Sequence, residues 1–262
     1  MGGPQSASAV RIEGITKVFE GRLGSPSVTA LEDINMEVAQ GEFCVLIGPS
    51  GCGKSTFLKI VAGLIRPTAG SVYVGANAVT GPGRDRGVVF QEYALFPWMS
   101  VRENVKFGLR LKGLSRNECD EAASRYIALV GLRASEGKFP HELSGGMRQR
   151  VAIARALAVD PQILLMDEPF GALDYFTRRN MQREVAKIWQ ITKKTILFVT
   201  HNIDEAVILA DRIVAFTTTP GTVSEVIPVQ LPRPRLEEEL LSNPEYVEIK
   251  GRLLTLLNGD SH

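Results

Sequence analysis

Gly48-Pro49-Ser50-Gly51-Cys52-Gly53-Lys54-Ser55 stands directly after the apolar run Phe43-Cys44-Val45-Leu46-Ile47. The octet fits the spacing Gly-x-x-x-x-Gly-Lys-Ser/Thr, and its surroundings decide the fold. A short continuous apolar run suits a strand buried on both faces of a parallel sheet. Phe57, Ile60, Val61 and Leu64 follow at helical spacing, so the octet reads as the turn from a buried strand into an amphipathic helix. Chemically such a loop is a phosphate cradle. Its glycines let successive backbone N–H groups turn inward without Cβ clashes, and the helix N-terminus adds partial positive charge. Lys54 is placed to reach the β- and γ-phosphates of a nucleotide, Ser55 to ligate Mg²⁺, and Thr56 to face the α-phosphate side.

Further apolar runs occur at 88–90, 163–166 and 196–199, each bounded by turn or polar residues, and helical patterns occupy 181–192 and 203–210. Strands alternating with helices predict an α/β core, which together with the octet resembles a P-loop NTPase (RecA-like) core. Residues 10–38 and 71–79 carry a strand-like alternation, which predicts an antiparallel β subdomain beside that core. Residues 100–158 are helical in pattern with no clear strand, and predict an inserted α-helical subdomain at about 97–158. There Ser115-Arg116-Asn117-Glu118 has the form of a capping box opening a helix through Val130. The expected division is a main nucleotide-binding domain over 10–230 and a C-terminal tail over 231–262. In the tail, Leu231-Pro232-Arg233-Pro234-Arg235 is a rigid, non-helical link. Asn243-Pro244 then reads as the N-cap and first position of a short helix whose stripe is Tyr246, Ile249, Leu253 and Leu257. That stripe is expected to pack on its own domain.

Lysine and arginine total 30 against 29 acids, for a net charge of +1. This lacks the basic excess of a nucleic-acid-binding surface, and no nucleic-acid partner is expected. Cys44, Cys52 and Cys119 are widely spaced with no CxxC pair, which fits a reducing compartment. The first nine residues lack an apolar signal core, and no stretch approaches ~18 consecutive apolar residues. Any work on a membrane is therefore expected to run through a partner.

Ile163-Leu164-Leu165-Met166-Asp167-Glu168 is an apolar strand ending in two acids. Paired carboxylates at a buried strand end are costly unless a cation or hydrogen bonds compensate. Beside a P-loop, Asp167 can hold Mg²⁺. Glu168, expected on the opposite side of the strand by the period-two rule, can accept a proton from an attacking water. His201 follows the run 195–200 at a strand's C-terminal end, where α/β ligands collect, and can hydrogen-bond a γ-phosphate or orient water. Gln91 follows the run 88–90, and its amide can bind Mg²⁺ or the attacking water. Leu143-Ser144-Gly145-Gly146-Met147 precedes a helix through Ala158. Ser144 is a good N-cap, and glycines at a helix start expose N–H donors, making a second anion site. His141 and His262 have no such context.

Taken together, the chain resembles the ATP-binding cassette (ABC) ATPases over about residues 10–228. The motifs stand in family order: Phe19 as the base-stacking aromatic, Gly48 to Thr56 as Walker A, Gln91 as the Q-loop, and Leu143 to Met147 as the signature. Ile163 to Glu168 follows as Walker B, Ala172-Leu173-Asp174 as the D-loop and His201 as the switch histidine. The resemblance implies ATP and Mg²⁺ as cofactors, with Ser55, Gln91 and Asp167 toward the metal and Glu168, His201 and Gln91 toward catalysis. It also implies a head-to-tail homodimer or pseudo-dimer that sandwiches two ATPs, each between the Walker A of one subunit and Ser144, Gly145 and Gly146 of the other. Asp174 would couple the two sites. Two departures, Met147 for a commoner glutamine and Phe19 for a commoner tyrosine, remove neither a phosphate ligand nor the base stack.

In this family the segment after Gln91 lines a groove that receives a helix of an integral membrane permease, so Tyr93, Phe96, Trp98 and Met99 are either a docking patch or local core. Leu95-Phe96-Pro97-Trp98 and the Leu231 to Arg235 tail resemble the nitrate/sulfonate/taurine import branch, with a solute-binding protein acting indirectly. The implied location is peripheral, on the cytoplasmic face of the inner or plasma membrane. A cassette in translation or DNA repair would carry tandem motif sets or sustained heptads, and neither is present. A small-molecule kinase would have no use for the 143–147 segment, and a non-hydrolysing scaffold none for Glu168.

Overall fold

The computed structural model describes residues 8–21, 26–218, 220–235 and 240–259. The chain forms two compact units, one of residues 1–83 with 194–262, the other of residues 84–193.

In the first unit, β1 (Ser8–Phe19), β2 (Val28–Ala39), β4 (Ala69–Val74) and β5 (Asn77–Ala78) form an antiparallel sheet in the order β2-β1-β4-β5. Val10, Ile12 and Ile15 of β1 and Ile34, Met36 and Val38 of β2 are buried. The break from strict alternation at Ile12 and Ile15 is a register shift opposite β2. The same unit holds β3 (Phe43–Ile47), buried at every position and flanked by two parallel neighbours, β8 (Thr195–Thr200) and β9 (Arg212–Phe216). A strand buried on both faces has no polar side to show, which is why its sequence reads as one apolar run. The edge strand β10 (Val223–Pro228) is antiparallel to β9. Around these lie α1 (Lys54–Val61), α6 (Ile203–Leu209) and α7 (Pro244–Gly259). Asn243 Oδ1 accepts from the Glu245 and Tyr246 N–H groups, so Asn243 caps α7. Tyr246, Ile249 and Leu253 are buried, and α7 lies against α6 of its own unit.

The second unit contains a parallel pair, β6 (Arg86–Val89) and β7 (Ile163–Asp167), in the register Arg86 to Ile163. Its helices are α2 (Val101–Leu111), α3 (Arg116–Leu129), α4 (Gly145–Ala158) and α5 (Tyr175–Thr192). Each begins at a side-chain cap. Ser100, Ser115, Ser144 and Asp174 accept from the third residue onward, and Ser115 with Glu118 completes a capping box. The helix α2 packs against both α3 and α4.

Three readings of the sequence change. The helix expected from 181 begins at Tyr175, because Asp174 caps it about two turns before its apolar stripe begins. The strands β9 and β10 had no counterpart in the expectation, although Ile213 to Phe216 is an apolar run. Glu168 is not on a strand: it follows β7 with φ 42°, so strand alternation does not set its direction. Cys44, Cys52 and Cys119 are buried free thiols, and burial pushes Cys44 up to about 12.

Candidate functional site: a phosphate loop and its partners

In the first unit, the loop from Gly48 to Gly53 joins the end of β3 to the start of α1. Lys54 is 4% exposed. Its Nζ turns back into the loop and donates to the carbonyls of Gly48 and Pro49, each at 2.7 Å, and to Cys52 Sγ at 3.4 Å. The ammonium is thus withheld from bulk water, and its hydrogen-bond partners among the described residues are neutral acceptors, an arrangement that favours an arriving anion. Gly53 has φ 95°, and a Cβ there would stand 2.7 Å from the Ala30 carbonyl oxygen, so only glycine allows the approach to β2. Ser55 and Thr56, half-buried, follow in the first turn of α1.

Gly221 is a residue that motif reading missed. A Cβ there would lie 2.1 Å from the Cys52 carbonyl oxygen, and its own N–H and C=O pair with Ala30 O and Glu32 N. It is the floor on which the loop rests. The only sequence signal was Pro220-Gly221, which also fits an ordinary turn. Phe19, 42% exposed, closes β1, and Lys17 Nζ lies 4.9 Å from its ring centroid. An exposed aromatic face there can stack on a base. His201 is exposed just after β8. Around it, Thr200 Oγ1 donates to Glu205 Oε2 at 2.6 Å, the Asn202 N–H donates to Thr200 Oγ1 at 3.0 Å, and the Glu205 N–H donates to Asn202 Oδ1 at 2.9 Å.

In the second unit, Asp167 ends β7 and Glu168 follows, both half-buried. A glutamate at φ 42° occupies a region that side chains other than glycine and asparagine seldom adopt, and such conformations gather at functional turns. Gln91 is exposed two residues after β6, and its Nε2 lies 2.9 Å from where a Cβ of Gly171 would stand. Gln91 and the turn following Glu168 are therefore neighbours. Ser144 Oγ accepts from the Met147 N–H at 3.3 Å and caps α4. A Cβ on Gly145 would meet Leu173 Cδ2 at 3.0 Å, which puts the segment 144–146 beside 172–174. Asp174 accepts from the Thr177 N–H at 3.0 Å, and its hydrogen bonds with Thr177 hold the carboxyl below its ordinary value.

The segment after Gln91 separates into anchor and surface. Asn104, fully buried, accepts from the Phe96 N–H and donates to the carbonyls of Phe96, Met99 and Ser100. Arg155 donates to the carbonyls of Ala94 and Tyr93, which both have positive φ. Phe96 packs 4.5 Å from Phe107 between ring centroids, a local core contact, whereas Trp98 is 70% exposed.

Among the described residues no group of three or more His, Cys, Asp or Glu could hold a metal ion. Among the same residues no helix is long and apolar enough to cross a membrane.

The sequence profile of the family described as ABC transporter matches residues 31–171. An uncharacterized ABC transporter ATP-binding protein of Methanocaldococcus jannaschii is 50% identical over 251 residues, 96% of this chain and 92% of that one. A nitrate import ATP-binding protein of Synechocystis is 46% identical over 258 residues, covering 95% of each. Among solved structures, the dimeric post-hydrolysis state of an ATP-binding cassette bound to ADP and Pi superposes with a TM-score of 0.74 at 33% identity, over 85% of this chain and all of that one. With a strand–loop–helix phosphate cradle, a strand that ends at Asp167 and is followed by Glu168, and a family match across more than half its length, the chain belongs to the ABC transporter family, as an ATP-hydrolysing subunit.

Proposed function

We propose that this subunit energises solute import through integral membrane permease partners, acting as a head-to-tail homodimer attached peripherally at the cytoplasmic face of the inner or plasma membrane. One observation carries the reading. A single chain presents two helix N-termini suited to phosphate, α1 behind the P-loop and α4 behind Ser144, Gly145 and Gly146, and the second lacks a cradle and lysine of its own. Two copies arranged head to tail put each to use, with the 144–146 segment of one gripping the γ-phosphate of ATP held by the other.

In this reading Phe19 stacks on the adenine. The backbone of Gly48, Pro49, Ser50, Gly51, Cys52 and Gly53 surrounds the phosphates, Lys54 exchanges its loop carbonyls for β- and γ-oxygens, and Thr56 faces the α-phosphate. Ser55, Asp167 and Gln91 are the metal ligands, a hard-oxygen set that fits Mg²⁺. When bound, Mg²⁺ neutralises charge on the phosphate oxygens. Glu168 takes the proton of the attacking water, His201 holds the γ-phosphate or the water in line, and Gln91 leaves or enters the site as its loop moves. Asp174 couples the two sites. The nucleotide-hydrolysing unit is residues 10–230, with 97–158 as its helical insertion and 231–262 as a tail.

The nitrate-import relative supports import of a solute of the nitrate, sulfonate or taurine kind. Trp98, exposed beside a loop anchored by Asn104, is the contact offered to the permease. The solute is chosen by the permease and, indirectly, by a solute-binding protein. The test is hydrodynamic. Glu168→Gln protein with ATP and Mg²⁺ should elute as a dimer, and the same protein carrying Ser144→Arg should bind ATP yet elute as a monomer. A nucleotide-saturated Glu168→Gln protein that stays monomeric overturns the sandwich.

A further inference from the structure

The tail holds the helix that follows His201 at both of its ends. At the C-terminal end of α6, Arg235 donates to the carbonyls of Val207 at 2.8 Å and of Ala210, and Arg233 Nη2 donates to Leu209 O at 2.6 Å and Asp211 Oδ1 at 2.9 Å. Arg235 also ties back to Leu231 O and Val229 O in the tail itself. At the N-terminal end, Asp204 Oδ1 accepts from Tyr246 Oη at 2.7 Å and Lys250 Nζ at 2.6 Å, both on α7.

A helix of seven residues is too short to hold itself, and its last carbonyls have no partners within it. Guanidinium groups that satisfy those carbonyls and face the negative end of the helix therefore fix where α6 lies. Burial, reinforced by Arg233, pulls Arg235 down to about 10, and it remains a cation at neutral pH. From α6 the constraint reaches His201 through the hydrogen bonds that link Thr200, Asn202 and Glu205 on either side of it.

We propose that Arg233, Arg235, Tyr246 and Lys250 are positioning residues for hydrolysis: the tail is a strap that clamps α6 and thereby sets the place of His201. The inference rests on the catalytic reading of His201 given above. A strap of this kind governs turnover and leaves ATP affinity alone, because the P-loop is not among its contacts.

The test uses the full chain, steady-state ATPase kinetics and a thermal midpoint for each variant. Tyr246→Phe with Lys250→Met removes two polar contacts and little volume, and Arg235→Lys keeps the charge but not the fork. In the His201 background both should lower kcat by about threefold to tenfold, the range of coupled network residues, with KM for ATP unchanged and Arg235→Lys milder than Arg235→Gln. In a His201→Ala background the same tail changes should have no further effect on kcat. Equal losses in both backgrounds, or wild-type kcat in folded tail variants while His201→Ala is slow, overturn the strap alone. Wild-type kcat in His201→Ala overturns the reading of His201 and the strap with it.

Discussion

Lys54 folds back on Gly48: its Nζ lies 2.7 Å from the Gly48 carbonyl oxygen, inside the loop it is meant to serve. The lysine is thereby preorganised, and in the proposed function binding would substitute phosphate oxygens for these carbonyls without a search through rotamers. Charge-assisted hydrogen bonds contribute about 1.5–3 kcal/mol. Lys54→Ala should therefore weaken ATP binding by roughly tenfold to hundredfold or more, read by titration calorimetry. Normal affinity in that variant would remove the loop from the binding site.

Glu168→Gln keeps the shape of the side chain and removes the carboxylate that, in the proposed function, serves as the base. ATP affinity should stay within a few fold while turnover falls by about 10²–10⁴, the range for a general base. Single-turnover hydrolysis separates the two quantities, and near-normal turnover would clear Glu168 of the role.

Gly221→Ala tests a residue with no motif. The added Cβ would stand 2.1 Å from the Cys52 carbonyl oxygen, and backbone must move to admit it. Overpacking of this kind costs about 1–3 kcal/mol. We expect a lowered thermal midpoint together with weaker ATP binding. An unchanged affinity would mean the loop does not depend on its floor.

Asn104→Ala removes the side-chain acceptor of the Phe96 N–H and the side-chain donor to the Met99 carbonyl, while the carbonyls of Phe96 and Ser100 keep the N–H groups of Met99 and of residue 104. Leaving buried polar groups unpaired costs about 1–3 kcal/mol. Amide exchange at 96–100 should accelerate and Trp98 fluorescence shift, with ATP binding by the isolated subunit retained. Unaltered exchange in that segment would deny Asn104 its anchoring part.

Asp174 gives a signed pH prediction. Its hydrogen bonds with Thr177 hold the folded carboxyl below its unfolded value. Folding therefore gains from this group above the ordinary carboxylate pKa of about 3.9, and the gain disappears as pH falls through the depressed folded value. Asp174→Asn keeps a good cap but does not titrate. Between about pH 5 and pH 3 the thermal midpoint of the unsubstituted protein should fall more steeply than that of the variant, and parallel curves would refute the assignment.

Reading by motif succeeded where the physics is local. The caps at Ser115, Ser144 and Asn243 depend on residues within three positions, and each is in place. Strand β3 announced itself because burial on both faces demands apolar residues at every position. It failed at Glu168, where a period-two argument presumed a strand that ends at Asp167. It failed at the start of α5, where the cap precedes the apolar stripe.

What the sequence by itself determined is the order of chemical parts: a phosphate loop between a buried strand and a helix, two acids at a strand end, and serines and aspartates that start helices. These follow from short-range backbone geometry and the spacing of apolar residues. Only the tertiary structure decided that Gly221 lies under Cys52, that Asn104 ties down the loop bearing Trp98, and that Arg235 grips the end of α6. Each joins an atom to a carbonyl or amide distant along the chain or on another element, and backbone groups look alike in every sequence until folding brings one of them near.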